Sequence, residues 1–291
     1  MTSRETTPPP VVYKYLSCAG ALPSLRKLSV KYTPLEEFND PFEGLLRNFS
    51  QQEFEELLGR ARESVQTEQT WRKFCDSAPV RDPEELYRYR RDVLAGRLNL
   101  DSCLKSGLDI TTKGMMDHYP QTISEHYGMV CLSARYDSIL MWSHYAENHK
   151  GIVVGYHSSF FRPLYPVQYR NNRVPLPVGQ FTKRKGDPPL SMWHVKALTT
   201  KFIDWAYEQE WRGVERREQL LKTKVKDSVV LYSKVPPQTV ASIYIGTRTD
   251  ETLRNECLSF ARRHPNCRLF QARYDDRDFA LAFDPADVSN A

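Results

Sequence analysis

The sequence lacks the marks of several large enzyme classes. It holds no G-x-G-x-x-G, no G-x-x-x-x-G-K-[ST] and no G-x-S-x-G, so doubly wound dinucleotide folds, P-loop enzymes and α/β-hydrolases lose their main sequence support. The six cysteines (Cys18, Cys75, Cys103, Cys131, Cys257 and Cys267) show no C-x-x-C spacing, which argues against a zinc ribbon or a redox pair, and free thiols are expected. His144 and His149 stand five apart with no partner at H-E-x-x-H spacing, so no metal site is expected from them. Apolar runs long enough for a membrane-spanning helix are missing, and Met1 to Pro10 lacks the apolar core of a signal peptide; a cytoplasmic protein without a membrane partner is the expectation. A large charge excess is missing too. The formal net charge is +5, from 41 basic and 36 acidic residues, a mild bias toward anionic small molecules and no signature of a dedicated nucleic-acid binder.

What the chain does have is aromatic residues and short strand patterns. Sixteen tyrosines and five tryptophans make aromatic-lined pockets an expectation. A proline-rich tail, residues 1–10, reads as disordered. Val11–Tyr15, Val30–Tyr32, Gly128–Ser133, Gly151–Tyr156, Val167–Tyr169, Val229–Tyr232, Ser242–Gly246 and Arg268–Tyr274 carry β-branched and aromatic strand patterns. Helical patterns fall at Leu22–Leu28, Ile139–Glu147, Met192–Lys201 and Glu251–Arg263, while Val174–Pro189, rich in proline, glycine and basic residues, reads as a loop. Residues 51–127 differ in character: Phe54, Leu57 and Leu58 recur at helical spacing among glutamates and glutamines, and Glu84–Leu98 repeats the pattern with arginines. The pattern predicts one α+β domain over 11–291, with a mixed or antiparallel sheet core and a helical insertion at 51–127.

The densest chemistry lies in Lys201-Phe-Ile-Asp-Trp-Ala-Tyr-Glu-Gln-Glu-Trp-Arg212. Read at a period of two, Trp205, Tyr207 and Trp211 share one face, and Asp204, Glu208, Glu210 and Arg212 share the other. Two carboxylates at i and i+2 raise each other's cost of ionising and a neighbouring arginine lowers it, so the pair can hold distinct protonation states. The competing reading is a solvated face with an ordinary ion pair.

Other groups invite both structural and functional readings. Asn39-Asp40-Pro41 is a turn signal; with Glu43 and flanking phenylalanines it is also a rigid frame for presenting a carboxylate or amide. Met141-Trp142-Ser-His-Tyr145 places Met141 and Tyr145 on one helical face with Trp142 beside them, a pattern of core packing. Cys131 and Ser133 end a strand, where side chains line sites, though no base for a nucleophile is visible.

Taken in order, Tyr13-Lys14-Tyr15, Phe38-Asn-Asp-Pro-Phe-Glu43, Leu132-Ser133, Met141-Trp-Ser-His-Tyr145, Lys150-Gly151-Ile, Lys201, Trp205-Ala-Tyr-Glu208-Gln-Glu210-Trp-Arg212 and Ile245-Gly246 resemble the bacterial domain-of-unknown-function family 2971 over nearly the whole chain. The same landmarks look distantly like the ADP-ribosyltransferase fold, and Glu208-Gln-Glu210 resembles the Glu-x-Glu motif of one branch of it. The resemblance implies NAD as substrate, Glu210 as the catalytic carboxylate stabilising an oxocarbenium-like state, Glu208 orienting the acceptor, Lys14 holding a ribose or phosphate, and Tyr145 stacking on nicotinamide. Tyr13, Tyr15, Asn39, Asp40, Ser133, Trp142 and Arg212 would complete the ligand-binding set. A protein or nucleic-acid acceptor, or another phosphorylated small molecule as ligand, and a toxin or phage-defence role are its further implications. Two alternatives stand beside it: a non-catalytic ligand-sensing or interaction module, and a metal-dependent nuclease built from Asp40, Glu43, Glu208 and Glu210.

Overall fold

The structure, a computed structural model, describes residues 7–76, 83–176, 192–225 and 228–288. The first six residues of the tail and residues 177–189 of the expected loop lie outside them. Pro10, at the other end of the tail, accepts a hydrogen bond from Ser158 N at 3.0 Å.

In chain order the elements are β1 (Val11–Leu16), α1 (Cys18–Lys27), β2 (Ser29–Tyr32), α2 (Gln51–Ser64), α3 (Glu68–Asp76), α4 (Pro83–Leu94), α5 (Leu100–His126) and β3 (Tyr127–Ser133). There follow α6 (Ile139–Tyr145), β4 (Ile152–His157), β5 (Leu164–Pro166), β6 (Gln168–Arg170), α7 (Met192–Leu198), β7 (Thr200–Phe202) and β8 (Glu210–Arg216). The chain closes with β9 (Leu221–Val225), β10 (Ser228–Lys234), β11 (Val240–Ile245), α8 (Glu251–Arg263), β12 (Arg268–Tyr274) and β13 (Leu281–Pro285). Two compact units result, one drawn from the described residues of Met1–Glu43, Gln121–Asn171 and Lys201–Ala291, the other from those of Gly44–Pro120 and Asn172–Thr200.

The first unit is α+β. Its main sheet has eight strands in the order β13-β12-β11-β4-β1-β3-β8-β5. Only β11 and β12 run parallel, joined through α8, and every other pairing is antiparallel, so the sheet is mixed and largely antiparallel, as the strand pattern predicts. The apolar run of β4 is explained by burial on both sides: Ile152, Val154 and Tyr156 join a core with Ala21 and Leu25 of α1 and Leu253, Cys257 and Phe260 of α8. Val153 faces the opposite side, where Tyr15, Trp142 of α6 and Tyr244 pack. α6 meets β4 through Glu147, Asn148 and His149, all with positive φ, and then Gly151, where an added Cβ would lie 1.9 Å from the carbonyl oxygen of Leu16. Only glycine permits that approach. A three-stranded sheet, β2-β10-β9, belongs to the same unit, and β6 pairs with β7 in a separate two-stranded sheet.

The second unit is mainly helical. Ser50 and Glu53 form a reciprocal capping box that starts α2, Leu57 and Leu58 are buried as their spacing predicts, and Ala61, Val65, Trp71 and Leu100 form a local core against Tyr89 and Val93. Among the described residues no helix is long and apolar enough to cross a membrane.

The period-two reading of 201–212 is corrected. β7 ends at Phe202, residues Ile203–Glu208 form a 3-10 helix, and β8 begins only at Glu210. Asp204 is exposed and does not share a face with Glu208, Glu210 and Arg212, which are buried. Helical turns replace strand alternation here, closed by Gln209 in the left-handed region, and they bring Glu208 back to the Lys201 ammonium at 2.6 Å. Two predicted helices shorten, Ile139–Glu147 to Ile139–Tyr145 and Met192–Lys201 to Met192–Leu198, while Leu22–Leu28 extends to Cys18–Lys27.

Candidate active site

Three adjacent strands build the site. Among the described residues β1 and β3 share one register pair, Tyr13 with Ser133, and beyond it the strands part. Lys14 enters this opening and donates from Nζ to the Cys131 carbonyl at 3.1 Å. On the other side of β3, β8 pairs in full, setting Glu210 opposite Ser133 and Arg212 opposite Cys131.

Glu208 reaches the same place by a backbone reversal. Gln209 sits at φ 46°, ψ 52°, in the left-handed region between the 3-10 helix and β8, and its carbonyl accepts from Ala134 N at 2.9 Å. The Ser133 hydroxyl donates to the Glu208 carbonyl at 2.6 Å and accepts from Arg135 N at 3.1 Å. The turn is thus held by β3 and brings the side chains at i and i+2 to one ammonium.

That ammonium is Lys201. Its Nζ lies 2.6 Å from Glu208 Oε2, 3.0 Å from Glu43 Oε1 and 3.4 Å from Glu210 Oε2, and 4.7 Å from the Trp205 ring centroid. Arg212 binds Glu210 through both oxygens, Nε to Oε1 at 2.7 Å and Nη2 to Oε2 at 2.9 Å. Its Nη2 also lies 2.5 Å from Glu43 Oε2, and its guanidinium covers the Phe38 ring at 5.0 Å. The solvated-face reading is therefore overturned: Glu43, Lys201, Glu208, Glu210 and Arg212 are each less than a tenth exposed. Glu208 completes its partners with Tyr145, whose hydroxyl donates to Oε1 at 2.6 Å and accepts from Asn39 Nδ2 at 2.9 Å.

The two carboxylates of the Glu-x-Glu pair differ in state. Burial raises the Glu208 pKa, and Lys201 only partly opposes it. Burial works against Glu210 as well, but Arg212, by charge and hydrogen bond, and Lys201 outweigh it and hold this carboxyl at about 2. Burial likewise opposes the charge of Lys201, and the glutamates around it more than compensate, so its pKa rises. The Tyr145 hydroxyl is pushed up by burial and by Glu208, and the Cys131 thiol by burial and by Glu210, so both remain protonated donors.

These groups surround a cavity of about 230 Å³. Of the residues singled out in the sequence, Tyr13, Lys14, Tyr15, Asn39, Glu43, Cys131, Ser133, Met141, Tyr145, Glu208, Glu210 and Arg212 line it. Asp40 and Trp142 are not brought to it. Trp142 is fully buried, donating from Nε1 to the Tyr136 carbonyl at 2.8 Å and packing edge-on against Tyr15, so it supports the wall from behind. Asp40 turns inward as a turn residue, Oδ1 accepting from Phe42 N at 2.9 Å. Sequence reasoning gave Lys201 no role, although it opens the acidic stretch and its ammonium contacts both glutamates. Thr33 was also unforeseen as a lining residue, since it carries no charge and belongs to no motif, whereas Phe38 heads the Asn39 turn motif. No family model, curated protein or solved structure matches the chain.

Chemically, the site offers a carboxyl of raised pKa beside a carboxylate held well down, separated by a shared ammonium, in a cavity with Tyr13, Tyr15, Phe38 and Tyr145 in its wall. Environments that drive two carboxyl groups apart in this way suit acid and base roles at a glycosidic or acyl centre.

Proposed function

We propose that this chain is an NAD-dependent ADP-ribosyltransferase-like enzyme, breaking the bond between ribose and nicotinamide and passing the ribosyl carbon to water or to a protein or nucleic-acid acceptor. The observation that carries this reading is the split pair of Glu208 and Glu210 on the Lys201 ammonium, within a cavity walled by Tyr13, Tyr145 and Phe38. Breaking such a bond places positive charge on the sugar ring, and a carboxylate held nearby lowers that barrier. Glu210, clamped by Arg212, fixes the ammonium and the local charge. In this reading Glu208, with one oxygen on Tyr145 and the other on Lys201, meets the sugar and exchanges a proton with the acceptor. At about 230 Å³ the cavity is smaller than the range of about 300–1,000 Å³ typical of sites that enclose a whole ligand. It suits the nicotinamide ribose end of the dinucleotide, with the rest outside.

The metal-nuclease reading is less favoured, because the position among Glu43, Glu208 and Glu210 where a divalent cation would neutralise charge is held by Lys201 Nζ. The test is titration of NAD into wild type, Glu208→Gln and Glu210→Gln, with released nicotinamide measured in the same samples. Wild type should release nicotinamide and Glu208→Gln should lose about 10²–10⁴-fold of that rate while still binding NAD. Absence of both binding and release in wild type would overturn the reading, as would release unchanged in Glu208→Gln.

A further inference from the structure

Three cations line the cavity, and one of them differs from the others. Lys201 and Arg212 are matched against Glu43, Glu208 and Glu210. Lys14 makes no ion pair among the described residues, and its recorded hydrogen bond runs to a neutral acceptor, the Cys131 carbonyl, at 3.1 Å. It stands half-buried in the opening between β1 and β3 and forms part of the cavity wall. A lysine so placed is costly to keep charged, and burial lowers its pKa. Burial raises the pKa of Glu208 in the same cavity wall. An amine without an ion-pair partner and a carboxyl of raised pKa in the wall of one cavity are the two kinds of group that condensation with a carbonyl uses.

We propose that Lys14 is an amine nucleophile that forms an imine with an aldehyde-bearing, sugar-sized ligand of this cavity. The Nζ lone pair attacks the aldehyde carbon, and the carbonyl π electrons move to oxygen. A proton passes from nitrogen to that oxygen, giving a carbinolamine. The Glu208 carboxyl then protonates the hydroxyl, which leaves as water, and the nitrogen lone pair closes the C=N bond as a protonated imine beside a Glu208 carboxylate. Hydrolysis reverses each step and returns the proton. No oxidant or second substrate is needed. The Cys131 carbonyl, on the full β3–β8 ladder, holds Nζ in position. Lys201 cannot take this role, because three glutamates raise its pKa. The inference is independent of the glycosidic reading, although a ring-opened ribose end would be such an aldehyde.

Wild-type protein is incubated at neutral pH with ribose or glycolaldehyde and sodium cyanoborohydride, whose hydride to the imine carbon fixes the C–N bond, and the digest is mapped by mass spectrometry. Neither probe has a bond to nicotinamide, so the outcome does not depend on NAD chemistry. The Lys14 peptide should carry the adduct at least about tenfold above the exposed Lys222 and Lys224, as expected for a cavity amine whose pKa burial lowers. Labelling should saturate with aldehyde concentration, and Glu208→Gln, shown folded by circular dichroism, should slow it. Labelling of Lys14 no greater than that of Lys222 and Lys224 with both aldehydes, or labelling that rises without saturation, would overturn the proposal.

Discussion

Charge is used in opposite ways in the helical unit and around the cavity of the first unit. In the helical unit, Arg62 pairs with Asp101 with side chains 54% and 42% exposed, and Arg47 pairs with Glu53 with 32% of each exposed. Around the cavity, Lys201, Arg212, Glu43 and Glu210 leave 6% or less of their side chains exposed. Water competes for the first set and screens it, so those pairs add little to stability. The second set has surrendered its hydration, and each member is tolerable only while the others remain. The difference teaches where position is enforced. A surface pair can drift, whereas a buried ring of ions and hydrogen bonds fixes side chains in the one arrangement that satisfies them.

The largest effect that would sharpen this contrast is Arg212→Met. It leaves Glu210 and Glu43 buried with only Lys201 between them, and chemical denaturation should show a loss of about 3–5 kcal/mol. A loss below about 1 kcal/mol, the range of exposed pairs, would erase the distinction. Next comes pH. Glu210 is held at about 2 against an ordinary value of 4.5, so within that window the native state binds fewer protons than the unfolded one and stability rises with pH. Urea midpoints of wild type should therefore fall as pH drops from 4.5 toward 2, and Glu210→Gln should flatten that limb. Glu208 has the opposite sign. Its raised pKa means that the native state holds an extra proton, so stability declines as pH climbs above the ordinary carboxyl range, and Glu208→Gln should remove that decline. The smallest effect belongs to Arg62→Ala, whose thermal midpoint should match wild type; a clear drop would show that the exposed pair also fixes structure.

Much of the fold was legible because strands buried on both sides advertise themselves. Gly151–Tyr156 and Ser242–Gly246 are continuous apolar runs, and they became β4 and β11 at the centre of the sheet. β9 and β13 were not foreseen: β9 mixes exposed lysines with aliphatics, and β13 opens on half-buried residues with no alternation to read. In the site, residues near in sequence were legible and distant ones less so. Glu208, Glu210 and Arg212 stood out as a cluster, yet their partner Lys201 lies behind a 3-10 turn that no period reveals. Tyr145 and Asn39 were picked from separate motifs, and only the fold shows them joined in one chain of hydrogen bonds ending at Glu208. Trp142 was misplaced because an aromatic beside a site residue reads the same whether it faces the ligand or props the wall.

The quartet of Glu43, Glu210, Lys201 and Arg212 holds two charges of each sign within a few ångströms. Opposed charges so closely interleaved cancel over distance, and little field leaks beyond the mouth of the cavity. Capture of a ligand there should consequently vary little with ionic strength, unlike sites that draw anions in from solution along a basic funnel. Such a site meets its ligand by collision and tells it apart only after contact.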